Sequence, residues 1–256
     1  KLQEQELSRQ LKRLKAELDS RPTYLTVAER DVQSETAIRI RGNAHQLGDK
    51  VSRGFLSAVS PSERYADRLS DQNSGRAELA GWIADDRNPL TARVYANRVW
   101  SWLIGDGLVA TENNFGTTGE SPSHPELLDY LANELIRHDW STKHLVRSIV
   151  MSETYQRALS DSPERLAIDP RNRLCAGANL KRMPVESLRD SMLAVSGELD
   201  RRGGGATIRP GTRADYDYRH DLTSRSVYLP VFRNSLPELY KLFDFADSSV
   251  SVGQRS

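Results

Sequence analysis

Asn88-Pro89-Leu90-Thr91-Ala92-Arg93-Val94-Tyr95-Ala96-Asn97-Arg98-Val99-Trp100-Ser101-Trp102-Leu103-Ile104-Gly105 carries its own start and stop. The Asn88 side chain is suited to accept from the free N–H groups of a first helical turn. Pro89 has its φ already set and lacks an N–H that would need a partner. Leu90, Val94, Val99 and Leu103 recur at helical spacing, and Gly105 closes the run. A helix of this kind needs other apolar helix faces to cover it, and the sequence on either side supplies them. The fold class that follows is mainly α with minor β: a helical body flanked by short strands near both ends that are able to pair.

Downstream, Ser123-His124-Pro125-Glu126 fits a capping box ahead of a helix whose buried face is Leu127, Leu128, Leu131, Leu135 and Ile136. Ser141 or Thr142 caps a further helix, with Leu145, Val146, Ile149 and Val150 inward, running to about Tyr155. Residues 160–182 are broken by Pro163, Pro170 and Gly177. Pro184 opens another helix along Val185, Leu188, Met192, Val195 and Leu199. Arg201-Arg202-Gly203-Gly204-Gly205 reads as a flexible loop, Ser224 to Phe232 alternates as a strand, and Leu236 to Phe243 as a short final helix.

Upstream, Leu79, Trp82 and Ile83 mark one side of a helix over 76–84. Thr36-Ala37-Ile38-Arg39-Ile40-Arg41 alternates apolar and charged residues, as a strand with one wet face does. Leu7, Leu11, Leu14 and Leu18 form a narrow seam over about two heptads, too short for an independent coiled coil but suited to docking on a neighbouring helix. The expected divisions are an amphipathic helix and linker over 1–35, a short β element over 36–60 and a connector over 61–75. A helical core over 76–200 and a truncated glycine-rich loop, strand and terminal helix over 201–256 complete them. Lys1 opens inside a charged helical pattern and Ser256 closes without an element, so both ends read as cuts in a longer chain.

The 256 residues carry 36 Lys plus Arg against 35 Asp plus Glu, a formal net charge of +1, which argues against a nucleic-acid binder held by bulk charge. A mean hydropathy of −0.61 is polar for a globular protein. The apolar runs fall short of the roughly 18 residues that span a membrane. Cys175 is the single cysteine, so neither an intrachain disulfide nor a cysteine-rich zinc site can form, and without C-x-x-C-H this chain attaches no c-type haem. Neither G-x-S-x-G, G-x-G-x-x-G nor a phosphate loop occurs. The basic residues are 29 Arg and only 7 Lys, and the Arg fork suits carboxylate, sulfate or phosphate.

Three groups of residues have chemistry to offer. Arg93 and Asn97 share a helix face beside Arg98, as an anion or sugar clamp would; the plainer reading is ion pairing that locks this helix to another, with Glu186 and Asp190 as partners. Glu186 with Asp190 and Asp200 supplies carboxylates, but Glu186 and Asp190 share one face with Arg189 beside them, whereas glycosidase carboxylates flank a substrate from opposing walls. Asp215, Asp217 and Asp221 alternate as hard-cation ligands do, without the glycine and terminal glutamate of a calcium loop. The histidines lack H-E-x-x-H and H-x-x-x-H spacing, and His138 and His144 flank Trp140 in an interhelical turn. Trp82, Trp100 and Trp102 offer a sugar platform or plain core packing, and Trp100 and Trp102, two apart, cannot share a face.

Several stretches taken together resemble a known family. They are Arg41-Gly42-Asn43 with Arg53-Gly54-Phe55-Leu56, the Asn88–Val94 and Asn97–Trp100 segments, Asn114-Phe115-Gly116 leading to Pro122-Ser123-His124-Pro125-Glu126-Leu127-Leu128-Asp129, Arg182-Met183-Pro184-Val185-Glu186-Ser187-Leu188-Arg189-Asp190, and Arg225-Ser226-Val227-Tyr228. The pattern resembles the planctomycete cytochrome-associated "PSD" domain, a family of unknown function, over roughly residues 36 to 256. The resemblance implies a periplasmic or extracellular setting at the carboxyl end of a large protein. Haem would then be carried elsewhere in the full-length chain, in bacteria that degrade complex, often sulfated, polysaccharides. It assigns no residue a role. Asn113 stands where the family pattern leads one to expect an acid. The expected function is a non-catalytic interaction or scaffold domain whose partners are other domains of the same polypeptide or an anionic glycan. The alternative is a hydrolase or the substrate domain of a haem-linked oxidoreductase.

Overall fold

The computed structural model describes residues 2–19, 35–56, 62–70, 73–159, 162–203, 207–208, 212, 218, 220–232, 235–243 and 245–246. The chain forms two compact units, Lys1–Asp85 and Asp86–Ser256. It is mainly α with minor β, with nine α-helices and one two-stranded sheet among the described residues. None of these helices is long and apolar enough to cross a membrane.

In the first unit, α1 (Leu2–Asp19) presents Leu7, Leu11, Leu14 and Leu18, each more than half exposed. β1 (Thr36–Arg39) pairs antiparallel with β2 (Leu47–Val51), with Thr36 opposite Val51 and an irregularity between Ala37 and Arg39. The strand read through Arg41 stops at Arg39 because Arg41 and Gly42 turn to positive φ, 52° and 76°. The stretch read as a connector contains a short helix, α2 (Ser62–Ala66), and α3 (Arg76–Ala84) follows. Tyr65 of α2 is buried, and its hydroxyl donates to Asp85 at 2.9 Å. Phe55 packs on Trp82 and Tyr65, with ring centroids 5.7 and 6.2 Å away. Gly81 lets Tyr65 in: a Cβ there would lie 2.7 Å from the ring.

The second unit is built on α4 (Pro89–Ile104), packed against α5 (Pro125–Arg137) and α6 (Thr142–Val150). Asn88 Oδ1 accepts from Leu90 N at 3.1 Å, and Gly105 terminates α4 at φ 120°. Lys181 Nζ donates to the final carbonyls of Trp102 and Leu103, which α4 itself leaves unpaired. Ala96, Val99 and Trp100 of α4 meet Leu108, Val109, Leu128, Leu131, Leu135, Leu145 and Ile149 in one core.

α5 starts later than a capping box at Ser123 would place it. The Ser123 N–H donates to Leu108 O, and its hydroxyl pairs with His124 Nδ1, so His124 takes the cap position without a side-chain bond. Ser141 does cap α6, accepting from His144 N, and α6 ends at Val150 rather than near Tyr155. α7 (Pro163–Ile168) is capped by Ser162. α8 (Val185–Ser196) opens after Pro184 and closes at Gly197, φ 79°.

The strand expected over 224–232 does not form. Its place holds a 3₁₀ turn, Ser226–Tyr228, with isolated bridges Asp200–Ser224 and Phe232–Ser235, and among the described residues β1 and β2 are the only strands. α9 (Glu238–Leu242) is the last described helix.

Candidate functional site

The three residues expected to form a clamp on α4 have three separate tasks. Arg93 donates to Asp129 Oδ1 of α5 at 2.5 Å and to Pro89 O at 3.1 Å. That hydrogen bond holds the Asp129 carboxyl below its ordinary pKa and raises Arg93. Asn97, fully buried, exchanges both amide bonds with one backbone residue: Nδ2 donates to Val109 O at 3.0 Å, and Oδ1 accepts from Val109 N at 2.9 Å. It thus acts as a strand partner in miniature and staples the loop after α4 onto the helix. Gly107 makes room, since a Cβ there would fall 2.8 Å from Asn97 Nδ2 and 2.6 Å from Val109 O. Arg98 donates to Asn113 Oδ1 at 3.0 Å. One turn on, Ser101 donates to the buried carboxylate of Glu112. Arg93 therefore binds α5, and Arg98 binds the loop, rather than Glu186 or Asp190.

On α8, Arg189 and Asp190 fasten the segment ahead of the 3₁₀ turn. Arg189 donates to the carbonyls of Leu222 and Ser224 and to Ser226 Oγ, and lies 3.5 Å from Asp190 Oδ1. Asp190 Oδ1 accepts from Ser226 N at 2.8 Å and Ser226 Oγ at 2.7 Å. These contacts occupy the backbone groups a strand ladder would need. Glu186 and Asp190 line a hollow of about 370 Å³ with Ser226 and Tyr240. Asp200 is held by Arg202 through a two-pronged contact at 2.9 Å, which lowers its pKa to about 2. Asp215 and Asp217 lie outside the described residues. Asp221 sits near His220, whose imidazole is held below its ordinary pKa chiefly by burial, with Arg189 adding to the shift and a Ser235 backbone contact and Asp221 opposing it.

A larger hollow, of about 560 Å³, opens beside α4 and is lined by three arginines, Arg165, Arg171 and Arg173, together with Trp100 and Cys175. Its floor is organised by buried Asn172, which donates to Gly177 O and Asn179 Oδ1, each at 2.7 Å, and accepts from Arg165 Nη1 at 2.9 Å. Arg165 Nε is buried and has no hydrogen-bond partner among the described residues. Arg173 reaches Glu120 at 3.0 Å, and Arg171 is exposed. Asp106 supplies a carboxylate on the rim. Gly107, Leu108 and Ala110, the loop that Asn97 holds down, form one wall. Burial raises the Cys175 thiol above its ordinary pKa.

At the far end of α5, His138 and His144 stack with ring centroids 3.5 Å apart, and Glu134 Oε2 lies 3.5 and 3.6 Å from their Nε2 atoms.

A family model matches residues 75–256, a span that holds all of these places. The chain belongs to the PSD1 family, described as a protein of unknown function (DUF1553). No curated protein and no solved structure matches the chain. The match to PSD1 begins at residue 75, so the motifs read at 41–56 lie outside it.

Within this PSD1 region, Arg93, Asn97 and Arg98 stay around α4, and Glu186, Arg189 and Asp190 stay on α8. Trp100 is buried and Trp102 exposed, as their two-residue spacing requires. Sequence reading passed over Arg165, Arg171 and Arg173, whose signal was three arginines within nine residues around Pro170. It also passed over Glu134, which stands one helical turn before His138.

Proposed function

We propose that this chain is a non-catalytic interaction domain of a larger secreted protein, and that it takes an anionic chain, a sulfated polysaccharide, along the arginine-lined hollow. The observation that carries the reading is the set of Arg165, Arg171 and Arg173 around one open hollow, with a buried guanidinium N–H of Arg165 still to be satisfied. Guanidinium forks match the geometry of sulfate oxygens, and an unmet buried donor favours an acceptor brought by a ligand. Trp100 supplies an apolar wall. Among the carboxylates chosen from sequence, Asp190 is hydrogen-bonded to Ser226 and Asp200 to Arg202, which supports the non-catalytic reading.

The test is retention on dextran sulfate against dextran. The chain is expected to bind only the sulfated resin, and the Arg171→Ala/Arg173→Ala double variant to elute at lower salt, since such contacts are screened. Equal behaviour on both resins, or co-elution of variant and parent, refutes it.

The bare leucine seam of α1 favours a second role, docking of another domain of the same polypeptide along that helix. In the full-length protein, cross-links from Lys12 and Lys15 to other domains are expected, and Leu11→Glu with Leu14→Glu should remove them. Cross-links that persist in the variant rule this role out.

A further inference from the structure

Glu134 and His138 stand one turn apart at the end of α5, and His144 is the third residue of α6. The turn between them is unusual. α5 ends with Trp140 N–H donating to Leu135 O and Asp139 N–H to Ile136 O, the two bonds of a Schellman closure. Glycine normally fills the left-handed position of that motif. Here Asp139 and the bulky Trp140 both take it, at φ 51° and 58°. The turn reverses the chain at once, and its consequence is that His144 lands on His138.

We propose that Glu134, His138 and His144 form a binding site for a divalent transition-metal ion of the zinc type. Two imidazoles and one carboxylate are a recurrent set for such ions, with the remaining position open to water or a ligand. Ligand atoms held about 2.0–2.1 Å from a tetrahedral ion lie about 3.3 Å from one another. Glu134 Oε2 already stands 3.5 Å from His138 Nε2 and 3.6 Å from His144 Nε2, and all three ligand atoms fall within 4.8 Å of one another. The rings are stacked 22° from parallel, so holding one ion together requires them to turn out of the stack. His138 is exposed and His144 partly buried, which gives the rings room to turn. Glu134 is mostly buried, so its carboxylate is held in place. Arg137 Nη1 contacts the other oxygen, Oε1, at 3.3 Å and leaves Oε2 to the ion. Ser148 Oγ, 3.5 Å from His144 Nε2, borders the site.

The experiment is calorimetric titration of zinc chloride into the chain, paired with NMR of the histidine rings. The parent is expected to bind one ion with perturbation of His138 and His144 ahead of His45, His124 and His220. His138→Ala, His144→Ala and Glu134→Gln should each weaken binding at least tenfold. Arg137→Ala should bind as tightly or more tightly, because a competing cation leaves Glu134. Failure of the parent to bind, equal affinity in the His138→Ala/His144→Ala double variant, or first perturbation of another histidine overturns the site. The ring resonances decide the matter in the parent chain even where a variant does not fold.

Discussion

Replacing Asn97 by Ala tests whether one buried amide holds the loop that walls the arginine-lined hollow. Asn97 gives Val109 both of its side-chain hydrogen bonds, and Val109 is itself buried. The substitution leaves one N–H and one C=O without partners in the interior, at about 1–3 kcal/mol for each. A loss of about 2–6 kcal/mol follows, a large share of the roughly 5–15 kcal/mol by which a folded protein is stable. With a urea dependence of about 2 kcal/mol per molar, the midpoint should fall by about 1–3 M. Trp100, in the core beside Asn97, reports the transition by fluorescence. Asn97→Asp is a sharper probe. It keeps the acceptor for Val109 N–H but sets an oxygen against Val109 O, so its deficit should match or exceed that of Ala at neutral pH. The deficit should narrow in acid, where a protonated carboxyl regains a donor. A loss below about 1 kcal/mol for Asn97→Ala would show that Val109 has another way to satisfy its backbone, and the account of the loop would fail.

Gly119→Ala should destabilise the loop, because its Cβ would lie 2.1 Å from the Asn114 carbonyl oxygen and 3.0 Å from the carbonyl carbon. Thermal melting should report about 1–3 kcal/mol of lost stability, the usual scale for overpacking, whereas Gly54→Ala, whose Cβ meets nothing among the described residues, should show no loss. His220 gives a pH signature. Its folded pKa is depressed, so the native state favours the neutral ring, and the unfolded chain takes up a proton at about 6.5. Stability is then complete above that pH and declines as pH falls below it. His220→Gln should flatten the urea midpoint between pH 7.5 and 5 relative to the parent.

The features read correctly from sequence are those whose cause is local. Asn88-Pro89 and Gly105 bound α4, Ser141 caps α6, and Pro184 opens α8, because a cap needs only neighbouring residues. The misreadings share a different cause: a remote group takes the local bond. Ser123 looked like a cap, but Leu108 O holds its N–H. Ser224 to Phe232 alternates as a strand should, yet Arg189 takes the carbonyls of Leu222 and Ser224, and Asp190 takes the N–H of Ser226. Arg93 found Asp129 rather than an acid of α8, since α5 and not α8 packs beside α4. The histidine pair was hidden because its approach depends on two non-glycine residues at positive φ, which no spacing rule announces. The arginine hollow was hidden because Arg171 and Arg173 come from an irregular stretch around Asn172, itself at φ 51°, which brings them beside Arg165 of the short α7.

Cys175 lines that hollow, and burial pushes its thiol above the ordinary pKa. Only the ionised sulfur attacks a disulfide, and ionisation is here disfavoured. The upward shift thins the reactive ionised form, so this lone thiol should enter exchange more slowly than a cysteine on an open surface.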